Sequence, residues 1–317
     1  MRRILFVHLA GLGDLIVALP AVSAMLRGLA GSSGVFAGDP GPCALVGMSG
    51  LGLDIVNIQE APWRALWDRA YDPAAAGVPA FDLVTELWSI GARDARYAAA
   101  TGGQVIDLPP DPGRLDLGDM TRRTWAWACS RFGFLVDYTE PGLDPPAYVR
   151  REVARFLQGR GVNPPYVVIA PGGAAPWKEW PEGRFWELSA GVRKSLGMQV
   201  VMVLGPREVG RGIVAPETAA DFVAREWRLP DVAALIGSAA CFVGNDTGTA
   251  HLATWTVHQR AGRTPCVLLF PRLTRDAWAP RVPWARVLDF SSADPGNREA
   301  AAVLQEVSRQ VQLAYGH

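Results

Sequence analysis

Short continuous apolar runs recur along the chain, each followed by glycines or polar residues and then by a longer stretch suited to a helix. Unbroken apolar runs of this kind fit strands of a parallel sheet covered on both faces. The first run, 4–9, predicts a buried strand, and a helix is expected over 15–29. Further strands are expected at 35–37, 55–58, 83–87 and 105–108, with Asp39 and Pro40 ending the second. Pro109, Pro110 and Pro112 then break the chain before a helix over 120–132.

Around 137–146 the sequence turns polar and proline-rich, as in a linker. A second series follows: a helix over 151–158, a strand at 166–170, a glycine-rich turn, a helix over 182–196 and a strand at 199–204. Helices near Ala219 and Val232, a strand around Phe242, a helix carrying His251, a strand at 266–270 and a terminal helix over 298–313 complete it. Two successive βαβ series predict an α/β chain of two doubly wound domains, 1–146 and 147–317. The terminal helix is also placed to pack back on the first domain.

Composition narrows the class. With 317 residues, 49% of them hydrophobic, each domain has enough chain for its own core. Lys+Arg and Asp+Glu are both 31, so no global field recruits nucleic acid or an anionic membrane. Cys43, Cys129, Cys241 and Cys266 are scattered without metal-ligand spacing and read as thiols in a reducing cytoplasm. The 12 tryptophans are mostly packing, with some available to line a sugar. Arg2 and Arg3 before an apolar run imitate a signal peptide, but Gly11, Gly13 and Asp14 interrupt it too early for a targeting or membrane segment.

Candidate chemistry sits at the predicted strand ends, where open α/β sheets bind ligands. HLAGLGDLIVALPA, 8–21, puts Gly11 and Gly13 in a tight turn and Asp14 at the mouth of a helix. Asp14 either caps that helix or acts as a general base toward a substrate hydroxyl. A dinucleotide fingerprint is the rival: Gly11-x-Gly13 and Asp39 fit it, but Ile16 stands where its third glycine belongs. PGGAAPWKEWP, 171–181, offers the backbone N–H groups of Gly172 and Gly173 and the point charge of Lys178, flanked by Trp177 and Trp180. GPRE, 205–208, brings Glu208 to hydrogen-bond a ribose or to cap. FVGNDTGTAHLA, 242–253, reads as a strand end, a turn over 244–248 and a helix capped by Thr247 or Thr249. Its helix start suits a diphosphate, and Asp246 suits sugar hydroxyls.

LAGLGDLIVALPAV, PGGAAPWKEWP and VGNDTGTAHLA, in this order and spacing with DLVTELW at 82–88 and LGPRE, resemble glycosyltransferase family 9, the lipopolysaccharide heptosyltransferases and their relatives. The resemblance covers nearly the whole chain. It implies a GT-B fold, two Rossmann-like domains facing across a cleft, with acceptor on the N-terminal and nucleotide sugar on the C-terminal domain. It also implies inverting transfer of a sugar, typically heptose from ADP-heptose, onto a lipopolysaccharide core, another glycan or a small molecule. By resemblance Asp14 is the base and Lys178 contacts donor phosphate. Asp246 lies by the donor sugar, and Thr247, Gly248, Thr249 and His251 form the diphosphate loop. Glu208 matches the ribose acid, and the backbone at 227–229 frames the nucleobase.

No cofactor beyond the nucleotide sugar and no protein metal site is expected; magnesium is left open. Peripheral contact with the inner face of the inner membrane is compatible with a cytoplasmic protein. The stretch between His251 and Pro265 is longer than the family's usual connection. FPRLTRDAWAP lacks the glycine that usually follows its strand. Two other classes remain open at this point, a nicotinamide-dependent oxidoreductase and a non-catalytic nucleotide-sugar-binding protein.

Overall fold

A computed structural model describes residues 2–113, 116, 118–290 and 299–315. The chain divides into two compact units, Met1–Pro141 and Gly142–His317. The first contains β1 (Arg3–His8), α1 (Leu12–Gly28), β2 (Ser33–Gly38), α2 (Pro40–Met48), β3 (Asp54–Asn57), β4 (Leu83–Leu87), α3 (Asp94–Thr101), β5 (Gln104–Val105) and α4 (Met120–Phe132). Its sheet is parallel throughout, in the order β3-β2-β1-β4-β5. Ile4, Leu5, Phe6 and Val7 of the central strand are all fully buried, which is why β1 shows no polar alternation. Helix α1 is buried from Leu15 through Met25, and Thr124 Oγ1 of α4 donates to Val17 O at 2.7 Å.

Two helices here were not anticipated from the pattern. Pro40 stands at the first position of α2, where its fixed φ and missing N–H suit a helix start. The residue that reads as a strand terminator is therefore a helix initiator. The strand expected at 105–108 shrinks to the two residues of β5 and an isolated bridge from Leu87 to Leu108.

The second unit contains α5 (Ala147–Gln158), β6 (Tyr166–Ala170), α6 (Glu182–Leu196), β7 (Gln199–Leu204), α7 (Pro206–Gly210), β8 (Phe222–Arg225), α8 (Leu229–Ile236), β9 (Cys241–Asn245) and α9 (Gly248–Trp255). It continues with β10 (Val257–His258), β11 (Gly262–Arg263), β12 (Cys266–Pro271), α10 (Arg272–Trp278), β13 (Ala285–Phe290) and α11 (Ala300–Tyr315). The six-stranded sheet runs β13-β12-β9-β6-β7-β8, with every neighbouring pair parallel. Its core includes Val167, Ile169, Trp180, Phe185 and Val243. Val303 and Val307 of α11 sit in that same core, so the terminal helix spends its apolar face within the second unit. Arg298, where that helix was expected to begin, lies outside the described residues.

The helix expected near Ala219 is a single 3-10 turn, Glu217–Ala219, and the chain then enters β8. The long connection between α9 and β12 is a small antiparallel hairpin, β10 with β11. His258 pins it. Its Nδ1 accepts the N–H groups of Arg260 at 3.1 Å and Ala261 at 2.8 Å. That nitrogen therefore carries no proton, and Nε2 donates to Ala239 O at 3.1 Å. Tyr315 Oη lies 3.0 Å from the same Nε2, and burial holds the imidazole's pKa below its ordinary value. Because α9 runs away from the carboxyl end of β9 and β12 starts at its amino end, the hairpin lies at the amino-terminal edge of the sheet.

Near the carboxyl end of β4 in the first unit, Glu86 is buried. It receives Ser89 Oγ at 2.9 Å and Arg93 Nη1 at 2.8 Å. Asp107 Oδ1 accepts the Glu86 N–H at 2.9 Å, and burial, reinforced by neighbouring Asp94, pushes the Asp107 carboxyl up to about 7. Among the described residues no helix is long and apolar enough to cross a membrane.

The raised Asp107 value has a consequence for stability. A carboxyl whose value is higher folded than unfolded supports the fold fully when protonated, below its ordinary 3.8, and that support is lost as pH rises through about 7. Asp107→Asn can still accept the Glu86 N–H and stays neutral. Its denaturation midpoint should therefore fall less than the parent's between pH 5 and pH 8. Parallel profiles would show that the Asp107 ionisation does not oppose folding.

Candidate functional site

In a doubly wound sheet, the chain leaves two neighbouring central strands in opposite directions, and the gap at their carboxyl ends is where ligands sit. In the first unit those strands are β1 and β4; in the second they are β6 and β9. Each unit carries its polar chemistry at that gap.

In the first unit, α1 begins at Leu12, and Gly11 is its N-cap with φ −75° and ψ 169°. Asp14 stands three residues on, and its Oδ2 accepts the Gly11 N–H at 2.9 Å. The capping role weighed for Asp14 is thus real, and it orients the carboxylate at the helix start, where the dipole favours negative charge. Gly11 does not use a left-handed backbone. A Cβ there would lie 2.9 Å from Asp14 Oδ2, so the missing side chain makes room for the carboxylate. Gly13 falls inside the first turn of α1. Trp88, just past β4, adopts φ +69°, and its indole N–H donates to Asp14 O at 2.7 Å, joining the two sides of the gap. His8 at the end of β1 is 2% exposed, and burial lowers it to about 4, so the imidazole is neutral.

The dinucleotide pattern finds no support in this geometry. Ile16 is fully buried in the helix, and Asp39 Oδ1 accepts Gln59 Nε2 at 2.8 Å.

In the second unit, β9 continues through Asn245, so the turn expected over 244–248 contracts to Asp246 and Thr247. Thr247, not Thr249, is the N-cap of α9; its side chain accepts the Ala250 N–H, and Gly248 and Thr249 open the helix. His251, one turn in, is buried with its ring edge-on to Phe270, 6.5 Å between centroids. Asp246 is 4% exposed. Its Oδ2 pairs with Lys178 Nζ at 2.8 Å and accepts the Thr274 hydroxyl at 2.7 Å. The phosphate lysine and the sugar acid expected from sequence are therefore in direct contact, and Lys178 Nζ also lies 5.3 Å from the centre of the Trp177 ring.

The segment 171–181 is held at several points. The Asn245 carboxamide, fully buried, donates to Pro171 O at 2.8 Å and Gly172 O at 3.1 Å and accepts the Trp180 N–H at 3.1 Å. Arg207 Nη1 donates to Ala174 O at 2.6 Å, and Arg211 forms a two-armed pair with Glu179. Trp180 is core, edge-on to Phe185 at 4.9 Å, whereas Trp177 is 38% exposed.

Glu208 repeats the arrangement of Asp14. It is the third residue of α7, and its Oε2 accepts the Gly205 N–H at 3.0 Å. A Cβ at Gly172 would fall 2.2 Å from Glu208 Oε1, and one at Gly173 would fall 2.2 Å from Glu179 Cγ. These two glycines are emptied by neighbouring acids. Past β8, Glu226 takes φ +51° and Trp227 turns its ring onto Phe156 and Phe222. A cavity of about 260 Å³ opens there, with Phe156, Trp227, Arg228 and Asp231 among its walls. Among the described residues no group of three or more His, Cys, Asp or Glu could hold a metal ion.

Sequence reasoning passed over Asn245, Thr274, Trp88 and the two arginines of 207–211. Asn245 had a signal, a polar residue closing an otherwise apolar strand. Thr274 had none, since its partner is distant in the chain.

Two Rossmann-like units, each with polar groups at its switch point, have the GT-B fold. Comparison with known proteins agrees. The family model for glycosyltransferase family 9 (heptosyltransferase) matches residues 123–288. This protein belongs to that family. It is 29% identical to lipopolysaccharide heptosyltransferase 3 of Escherichia coli K12 over 152 residues, 45% of this chain but only 41% of that protein. Among solved structures, a family 9 glycosyltransferase from Veillonella parvula superposes with TM-score 0.73 at 18% identity, covering 98% of this chain and 97% of that one. An Escherichia coli heptosyltransferase solved with ADP gives TM-score 0.70 at 18% identity, covering 97% and 99%.

The clamp on 171–181 can be tested through Asn245. Asn245→Ala removes the acceptor of the buried Trp180 N–H and the donors to Pro171 O and Gly172 O, and should cost about 1–3 kcal/mol of unfolding free energy. Asn245→Asp preserves volume but sets carboxylate oxygen against two carbonyls, and should cost at least as much. Denaturant midpoints decide it; an Asp variant as stable as the parent would mean that volume alone matters at this position.

Proposed function

We propose that the protein is an inverting glycosyltransferase that moves a sugar, heptose from ADP-heptose, onto an acceptor hydroxyl. The observation that carries this reading is the Lys178–Asp246 pair beside the Thr247-capped start of α9, at the switch point of the second unit. A cation and a helix N-terminus suit a diphosphate, and the neighbouring carboxylate suits sugar hydroxyls. Structural neighbours solved with ADP and with an ADP-heptose analogue support the same donor.

Each group then has a task. The backbone N–H groups at 248 and 249 and the Lys178 ammonium meet the charge that grows on the leaving diphosphate, an electrostatic role that can dominate such catalysis. In the free protein Lys178 is committed to Asp246, so a bound diphosphate draws on a cation already held at the site. Glu208, against Gly172 and at the start of α7, takes the ribose hydroxyls in this reading. The backbone at 227–229 frames the base, and His251 backs the loop from within α9. Asp14 takes the proton of the acceptor hydroxyl as that oxygen attacks the anomeric carbon on the face opposite the diphosphate. Acceptors of this reading are a lipopolysaccharide core, another glycan or a small molecule. Its setting is the cytoplasm, at the inner face of the inner membrane where the acceptor is lipid-borne.

A thermal-shift screen tests the donor, because a ligand that binds only the folded state raises the transition with its occupancy. ADP and ADP-heptose should raise it, and nicotinamide dinucleotides should not. The reverse pattern would return the chain to the oxidoreductase reading. Lys178→Ala should weaken ADP binding by about 1.5–3 kcal/mol, as for a hydrogen bond to a charged group, measured by titration calorimetry.

Asp14→Asn separates base from cap. Asn can still accept the Gly11 N–H, so the fold and ADP affinity should survive. It cannot take a proton, so single-turnover transfer should slow by roughly 10²–10⁴. A rate within a few-fold of the parent would place the base at another residue.

A further inference from the structure

The segment after β12, which lacks the glycine expected from the family resemblance, closes on Asp246. In place of a glycine-containing turn it forms α10, which puts Thr274 Oγ1 2.7 Å from Asp246 Oδ2. Thr274 has a single hydroxyl proton. Its other acceptor, Pro271 O, is at 3.4 Å, so the proton belongs to the carboxylate. Asp246 Oδ2 thus receives two donors, Lys178 and Thr274, while the described residues offer Oδ1 none. That leaves Oδ1 as the oxygen available to a ligand.

We infer that Thr274 is a positioning residue for the donor sugar: it fixes the Asp246 carboxylate by one oxygen so that the other meets a sugar hydroxyl. The inference rests on the glycosyltransferase reading above and names a residue which that reading leaves out. Its physical basis is the burial of Asp246. A carboxylate at 4% exposure needs partners, and Lys178 is the partner that a diphosphate competes for. When Lys178 turns to phosphate, the Thr274 hydroxyl is the donor that stays on Oδ2. It comes from the neighbouring strand end and needs no movement. Without it, the carboxylate either retains Lys178 or rotates, and Oδ1 loses its direction.

The test uses the full-length chain with ADP and ADP-heptose as probes and three proteins: parent, Thr274→Val and Thr274→Ser. Valine keeps the shape of threonine and removes the hydroxyl; serine keeps the hydroxyl. In Thr274→Val, kcat/KM for the sugar donor should fall about tenfold or more while ADP affinity stays within about threefold. Thr274→Ser should stay within about threefold of the parent in both measurements.

Parental kcat/KM in Thr274→Val overturns the inference. So does an equal loss in the serine variant, which would assign the effect to packing, and so does a matching loss of ADP affinity, which would assign it to the loop. A parent that binds ADP but gains nothing from the sugar overturns the donor assignment itself, and the role of Thr274 falls with it. Circular dichroism on all three proteins separates these outcomes from misfolding.

Discussion

Everything placed at the second unit's edge depends on how one carboxamide is satisfied. Asn245 ends the strand β9, fully buried, with two donor protons and one acceptor oxygen to match. It spends them all on the segment leaving β6: two carbonyls at 171 and 172 and the N–H at 180. The β6–β9 ladder ends at Ala170 and Gly244, so no backbone ladder holds the two connections together. A side chain does it instead. Lys178 and Asp246 stand on the two connections so joined, and their 2.8 Å contact presupposes that join.

The glycines of the candidate site obey a related rule. Gly11, Gly172, Gly173 and Gly205 do not appear among the left-handed positions; what crowds each is an acid. Asp14 and Glu208 repeat one device, a carboxylate in the third helical position bonded back to the glycine that begins the helix. The device holds a negative charge at a helix start in a fixed rotamer. In the first unit that charge is the proposed base; in the second it is the proposed ribose contact. The left-handed backbone is found elsewhere at the edges, at Trp88 and Glu226, just past β4 and β8. Strain of this kind at strand ends persists only where the surroundings enforce it.

The parallel strands were legible because burial on both faces writes a continuous apolar run, and 4–7, 166–170 and 200–204 carry that run without interruption. The elements that escaped are those whose cause is tertiary. β8 and β13 close the two edges of the second sheet and show mixed exposure, so their sequences lack the signature. α2 hid behind a proline that stops one element by starting the next. At the candidate site, the motif stretches named Asp14, Lys178, Glu208 and Asp246, because charged residues after strands are conspicuous. They could not say that Lys178 and Asp246 meet, since 68 residues separate them. Nor could they distinguish Thr247 from Thr249 as the cap, because either fits the one-dimensional pattern; only the backbone angles of Thr247 decide it.

The hairpin of β10 and β11 has a practical meaning of its own. It lies at the edge of the sheet opposite the polar groups, and its base is tied by the His258 ring to Ala239 and Tyr315, two parts of the second unit's framework. Its tip, 259–262, is exposed and includes a left-handed glycine at 262. Exposed tips on anchored stems tolerate insertion. This one is a natural handle: a fluorophore or an affinity peptide grafted there would ride rigidly on the second unit, with the whole depth of the sheet between it and the ligand edge.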